Sequence, residues 1–290
     1  GWTRLQFPEW PVDSSVERLH RSLLALAMRA AGVTELPFVW FWPDAYSACV
    51  MMTHDVETAK GRDHCLRLMD LDDSFGVKSS FQFVPEVRYR VPAELLDQVR
   101  RRGFEVNIHD LNHDGRLFAG LGEFRRRAAR INAHARDFGA RGFRSGVLYR
   151  NPDWYGELAF EYEMSIPNVA HLEPQRGGCC TVMPYFIGNL LELPLTTAQD
   201  YTLFHILGDY SIGLWQRQID IITGQHGLAS FNTHPDYMIP ARAESVYRRL
   251  LEHLGSLRGE RSLWFALPGE VNDWWRQRSR MRVAGARRVV

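Results

Sequence analysis

Two carboxylates and a series of histidines stand where an α/β protein keeps its chemistry. Asp55 and Glu57 close the stretch Thr53-His54-Asp55-Val56-Glu57, directly after the apolar run Ala48-Cys49-Val50-Met51-Met52. Residues two apart on a strand face the same way, and two acids forced together repel unless one is neutral or bound to a cation. A metal on one and proton transfer on the other resolves that conflict. A second run, Val106-Asn107-Ile108-His109, is followed by His113. That spacing brings both imidazoles to one ion if the intervening loop turns helically. A third run, Leu228 to Thr233, ends in His234, and Pro235 fixes the turn behind it. Arg144 lies in a short apolar strand, where its burial needs a carboxylate partner; Asp55 is the natural candidate. Acids, paired histidines and a later histidine at successive strand ends point to metal-assisted hydrolysis.

The elements that position these groups alternate. A strand at 48–53 leads to a helix at about 62–75, stopped by Gly76, and 77–84 alternates as a second strand. Pro92 opens a helix that Gly103 closes, 104–108 is a strand, and 121–138 is a charged amphipathic helix. A short strand at 142–145 precedes a helix near 153–160. Residues 162–195, with Gly177-Gly178, Pro184 and Pro194, read as an irregular insertion or small hairpins. A helix near 212–222, a strand at 228–232, a helix at 241–254, a strand at 264–267 and a helix from Pro268 restore the rhythm. The alternation predicts an α/β protein, a parallel sheet with covering helices. Residues 14–31 form one further helix, with Leu19, Leu23, Leu24 and Met28 as an i, i+4 stripe expected to pack on the main domain. The expected division is an N-terminal extension at 1–46, a catalytic domain at 47–278 and a tail at 279–290.

The whole chain excludes several function classes. A formal charge of +1 over 290 residues gives no reason to expect nucleic acid or an anionic membrane as partner. The arginine clusters at 100–102, 125–130 and 276–282 read as solvated helix faces. No apolar run approaches the roughly 20 residues of a transmembrane helix. Four cysteines, two of them adjacent, make neither a disulfide framework nor a structural zinc site. Reduced thiols and no visible signal peptide give a cytoplasmic expectation.

Read in order, these residues resemble the polysaccharide deacetylase family (chitin-deacetylase-like, carbohydrate esterase family four, the NodB homology domain). Its Thr-Phe-Asp-Asp-Gly motif is similar to Thr53-His54-Asp55-Val56-Glu57. Its paired histidines resemble His109 and His113. Its Arg-x-Pro motif falls on Arg144-Ser145-Gly146, without the proline. Its fourth motif falls least clearly, near residues 162–165. Its strand ending in histidine resembles Phe231-Asn232-Thr233-His234, and Leu267-Pro268-Gly269-Glu270 with Trp274 and Trp275 resembles the end of many members. The resemblance covers residues 47–275.

It implies a distorted (β/α) barrel and removal of acetyl groups from a carbohydrate, first of all an N-acetylated amino sugar in an oligosaccharide, glycan or glycan precursor. O-acetyl esters, other amides and a catalytically inactive glycan-binding protein are the rivals. Where relatives bind metal through a second Asp, this chain has Val56, so the resemblance passes the ligand role to Glu57 beside His109 and His113. It makes Asp55 the general base held by Arg144, His234 the general acid, and a backbone N–H near Ser145 or Gly146 part of an oxyanion site. Two imidazoles and one carboxylate suit zinc first, with cobalt, nickel or manganese next. Tyr149, Trp154, Tyr185 and Tyr237 are candidates to stack on sugar rings.

Overall fold

The computed structural model describes residues 7–260 and 262–285. Residues 1–6 of the expected extension and 286–290 of the expected tail lie outside them. The strands are β1 (Ala48–Val56), β2 (Ser79–Phe83), β3 (Glu105–His109), β4 (Gly142–Arg144), β5 (Tyr162–Glu163), β6 (Tyr185–Ile187), β7 (Leu190–Glu192), β8 (Leu228–Thr233) and β9 (Leu263–Phe265). The α-helices are α1 (Ser15–Ala30), α2 (Ala59–Ser74), α3 (Ala93–Arg101), α4 (Leu121–Phe138), α5 (Gly213–Gly224), α6 (Ala241–Glu260) and α7 (Pro268–Arg280). One sheet runs β6-β7-β5-β4-β3-β2-β1-β8, and β9 pairs with the start of β1 below β2. Every pairing is parallel except β6 with β7.

The sheet curls toward closure, and threonines bridge the gap. The Thr196 hydroxyl donates to the Leu228 carbonyl (2.6 Å) and accepts from Ser230 N–H (2.9 Å). Thr197 N–H and its hydroxyl both donate to the Ser230 carbonyl (3.2 and 2.8 Å). This is the distorted (β/α) barrel that the resemblance implies, with helices outside a mainly parallel sheet.

Alternation along β1 separates two environments. Val50, Met52 and Val56 enter the core between the sheet and its helices, with Leu68, Phe81, Ile219 and Leu250. Cys49 and Met51 face inward onto an apolar floor with Trp42, Tyr162, Leu191 and Trp275. Above that floor the inward side turns polar, with Thr53, Asp55, Asn107, His109, Arg144 and Asn232 all buried. Parallel strands all present the same end, so the polar groups gather at one mouth.

Four regions differ from expectation. The stretch 153–160 is a 3-10 turn at Pro152–Glu157, because Pro152 starts it and the Asn151 side chain accepts from Asp153 N–H (3.3 Å). Residues 162–195 are more than an insertion: they supply the parallel strands β5 and β7 and the hairpin strand β6. Strands of two or three residues are too short to show a period. A π-helical turn at Thr202–Leu207 was not anticipated. The stripe of α1 does not enter the core: no residue of the helix is buried, and Leu19 and Leu23 are 57% and 55% exposed. Its first two turns are tied to the body: Val16 N–H donates to the Cys180 carbonyl (3.2 Å), Val182 N–H to the Glu17 carboxylate (3.2 Å), and the Arg21 guanidinium to the Gln225 side chain.

Candidate active site

β1 continues through Val56 because β2 and β8 pair with its two edges, Val56 lying opposite Phe83. Asp55 therefore points inward while Val56 points into the helix-covered core. Asp55 is 2% exposed and both its oxygens are engaged. Arg144 Nη1 donates to Oδ1 at 2.9 Å, and Asn232 Nδ2 donates to Oδ2 at 2.8 Å. The same Arg144 nitrogen reaches Thr53 Oγ1 and Asn232 Oδ1, both at 2.9 Å, and Arg144 Nε donates to the Met164 carbonyl (2.9 Å). Burial pushes the Asp55 carboxyl up, but Arg144, then His109 and His234, outweigh it, and the net shift is downward. Asp55 is thus held toward its ionised form and oriented on two sides.

Glu57 carries its carboxylate into a ring of imidazoles. Oε1 lies 2.9 Å from His113 Nε2, 3.3 Å from His109 Nε2 and 3.4 Å from His234 Nε2. Burial raises its pKa, but the three histidines reverse that and hold it well below the usual range. His109 Nδ1 is 3.1 Å from the Arg144 carbonyl, which accepts from Nδ1–H and orients the ring with Nε2 toward Glu57. His113 arrives from a loop that is not helical. Asp110 and His113 adopt left-handed conformations (φ 53° each), so the loop doubles back and the two imidazole rings lie 4.9 Å apart. Arg88, 3.3 Å from His113 Nδ1, donates to the His113 carbonyl (2.6 Å), and Glu86 N–H donates to Leu111 (3.0 Å).

This donor set fits a divalent cation. One oxygen and two imidazole nitrogens lie within 4.8 Å of one another. His113 Nε2 is buried without a hydrogen-bond partner despite its short distance to Glu57. Nitrogen lone pairs that converge beside a carboxylate, with the far nitrogen of His109 tied to a carbonyl, make the arrangement of a metal ligand set.

His234 closes the other side. Asp200, fully buried, sits 2.7 Å from its Nδ1 and accepts its backbone N–H at 2.7 Å. Burial lowers the imidazole pKa, but Asp200 and then Glu57 outweigh it and raise it well above the ordinary value. Asp200 and Asn232 escaped sequence reasoning. Asn232 shares the inward phase of Ser230 and His234 on β8, a signal that alternation could have given. Asp200 follows the short strand β7, and the threonine bridges to β8 carry it to His234.

Residues 162–165, where the fourth motif was expected, meet the site through Arg144, whose Nε donates to the Met164 carbonyl. Glu163 faces Glu192 across β5 and β7 and bonds to Ser165; it does not reach His234. The expected oxyanion donors are also engaged. Ser145 N–H donates to Ser165 Oγ (2.7 Å) and Gly146 N–H to Asp110 Oδ2 (3.2 Å), because the turn after β4 packs onto the histidine loop. Tyr149 is half-buried, and its ring lies near Gly115 of that loop. Trp154 stacks on Phe118 (6.1 Å) and Tyr185 packs against the same core cluster, so both are structural. Tyr237 alone of the four aromatics touches the site, its ring 4.7 Å from that of His234.

No protein-family model matches the chain, and no curated protein does. Solved structures do. A protein assigned as a polysaccharide deacetylase from Mycobacterium smegmatis is 19% identical over 89% of this chain and 99% of its own, with a TM-score of 0.68. One assigned likewise from Pseudomonas aeruginosa PAO1 is 11% identical over 83% and 95%, with a TM-score of 0.66. The allantoinase Puue is 12% identical over 81% and 92%, with a TM-score of 0.65. The chain has the fold of the polysaccharide deacetylases.

Proposed function

We propose that residues 47–278 form a metal-dependent hydrolase that removes acetyl groups from a carbohydrate, acting first of all on the N-acetyl group of an amino sugar in a glycan or glycoconjugate. The observation that carries this is the convergence of Glu57, His109 and His113 between two oriented pairs, Asp55 with Arg144 and His234 with Asp200. Solved structures of similar fold include two assigned as polysaccharide deacetylases.

Glu57, His109 and His113 would hold the cation, zinc in first place, which supplies Lewis-acid polarisation of the acyl carbonyl and a lowered pKa for the attacking water. Asp55, kept ionised by Arg144, would accept the proton of the attacking water. Arg144 and Asn232 each hold one of its oxygens, which orients the carboxylate before the transfer. His234, kept protonated by Asp200, donates to the leaving nitrogen through Nε2. A carboxylate pushed down and an imidazole pushed up divide the base and acid roles. Since the N–H groups of Ser145 and Gly146 are engaged, neither serves the developing oxyanion.

The deciding experiment is acetate release from N-acetylglucosamine oligomers by protein loaded with zinc, cobalt, nickel or manganese. Release abolished by chelation and by Asp55→Ala supports the reading; no release from N- or O-acetylated glycans refutes it. A second reading, hydrolysis of a non-sugar amide, draws on the similar fold of an allantoinase. Turnover of allantoin without acetate release would select it.

A further inference from the structure

A group of rings leads outward from His234. Tyr237 lies 4.7 Å from the His234 ring, and His205 lies 4.9 Å from Tyr237. Tyr201 sits 6.1 Å from Tyr237 and 5.4 Å from His205, so the three form a contiguous cluster. Tyr237 is half-buried, His205 exposed and Tyr201 44% exposed. Ile206, Leu207 and Ile239, on the same two segments, are 43%, 43% and 46% exposed. Large apolar side chains concentrated beside a reactive group mark a contact surface rather than chance exposure.

Local structure keeps these rings in place. Tyr201 directly precedes the π-helical turn Thr202–Leu207 and His205 lies within it, a wide turn of the kind found at functional sites. Leu203 and Phe204 anchor that turn in the core, and Phe204 stacks on Tyr210 with centroids 4.7 Å apart. The half-buried Glu173 carboxylate accepts from Gln199 Nε2 (2.9 Å) just before it. The ring-bearing turn also follows directly on Asp200, so what holds His234 fixes the rings as well.

We infer that Tyr201, His205 and Tyr237 form a stacking subsite for a sugar unit adjoining the one that loses its acetyl group. This inference rests on the proposed carbohydrate deacetylation. A pyranose presents slightly positive C–H groups on its faces and hydroxyls on its rim. An aromatic ring has a negative face, and Tyr and His add polar edges that suit hydroxyls. A purely aliphatic ligand would gain nothing from those edges. The subsite therefore selects an oligosaccharide over a single sugar.

The test compares N-acetylglucosamine with its hexamer, for wild type, Tyr201→Ala, His205→Ala and Tyr201→Phe. The ratio of kcat/KM for hexamer over monomer falls about fivefold in each alanine variant and is retained in Tyr201→Phe, which keeps the ring. Hexamer binding, measured by titration calorimetry in an Asp55→Asn background that stops turnover, weakens by the same factor. If acetate is released but neither the ratio nor the Kd responds to the alanine substitutions, the subsite is overturned and the deacetylase reading survives. If no acetate is released yet the hexamer binds and Tyr201→Ala weakens it, the subsite stands and the reading of the reaction falls. Absence of hexamer binding overturns the subsite.

Discussion

At the residue scale, Asp55, Val56 and Glu57 owe their separate fates to strand alternation. Val56 stands where the resemblance would place a metal ligand, but its side chain faces the core with Leu68 and Phe81. Glu57→Ala should remove most bound metal, measured as stoichiometry by elemental analysis, and abolish acetate release. Val56→Asp should not strengthen metal binding; it buries an unpaired carboxyl and should cost ~3 kcal/mol or more in urea unfolding. Asp200→Asn tests the acid. The raised imidazole pKa depends on the Asp200 carboxylate, so the alkaline limb of the pH–rate profile should move to lower pH, with kcat/KM down about a hundredfold. Asp55, His109, Arg144 and His234 were legible because each ends or follows a recognisable strand. Asp200 was not, since its link to His234 joins residues 34 positions apart and no local pattern encodes it.

At the element scale, the long helices and the central strands were readable from period and caps, and the short strands β5 and β7 were not. Those two strands carry a feature that only pairing creates: Glu163 and Glu192, both fully buried, lie opposite each other. Burial first, and then Glu163, push the Glu192 pKa well above its ordinary 4.5. Between 4.5 and that raised value the folded state binds more protons than the unfolded one. Stability therefore falls as pH rises through this window, by up to about 1.4 kcal/mol per pH unit. Glu192→Gln should flatten the decline, seen as urea midpoints at pH 6 and 8 that differ less than in wild type. The turn after β4 makes a second demand. A Cβ on Gly146 would collide with Asp110 Oδ2 and lie 3.0 Å from His113 Cδ2. Gly146→Ala should push the histidine loop away, lowering metal affinity more than it lowers the melting temperature.

At the scale of the whole molecule, the sequence conveyed a parallel sheet with chemistry at one mouth, which is the observed architecture. Val12 and Trp42 of the N-terminal extension enter the core, but the stripe of its helix stays exposed, because an apolar stripe shows that a surface wants covering without showing what covers it. Between α1 and the body lies a cavity of about 900 Å³, lined by Val16, His20, Leu24, Trp40, Met183 and Trp275 among others. Among the described residues no helix is long and apolar enough to cross a membrane. A helix that buries none of its residues gains little from the cooperative fold. Its melting should add almost nothing to the heat-capacity increment of unfolding, which scales with the apolar surface exposed. Amide protons of α1 should exchange within the first time points of a hydrogen-exchange experiment, while those of β1 and β8 exchange only through global opening. Protection in α1 as strong as in β1 would contradict this. The expected outcome is two stability tiers, a barrel that opens as one unit and a leading helix that opens before it.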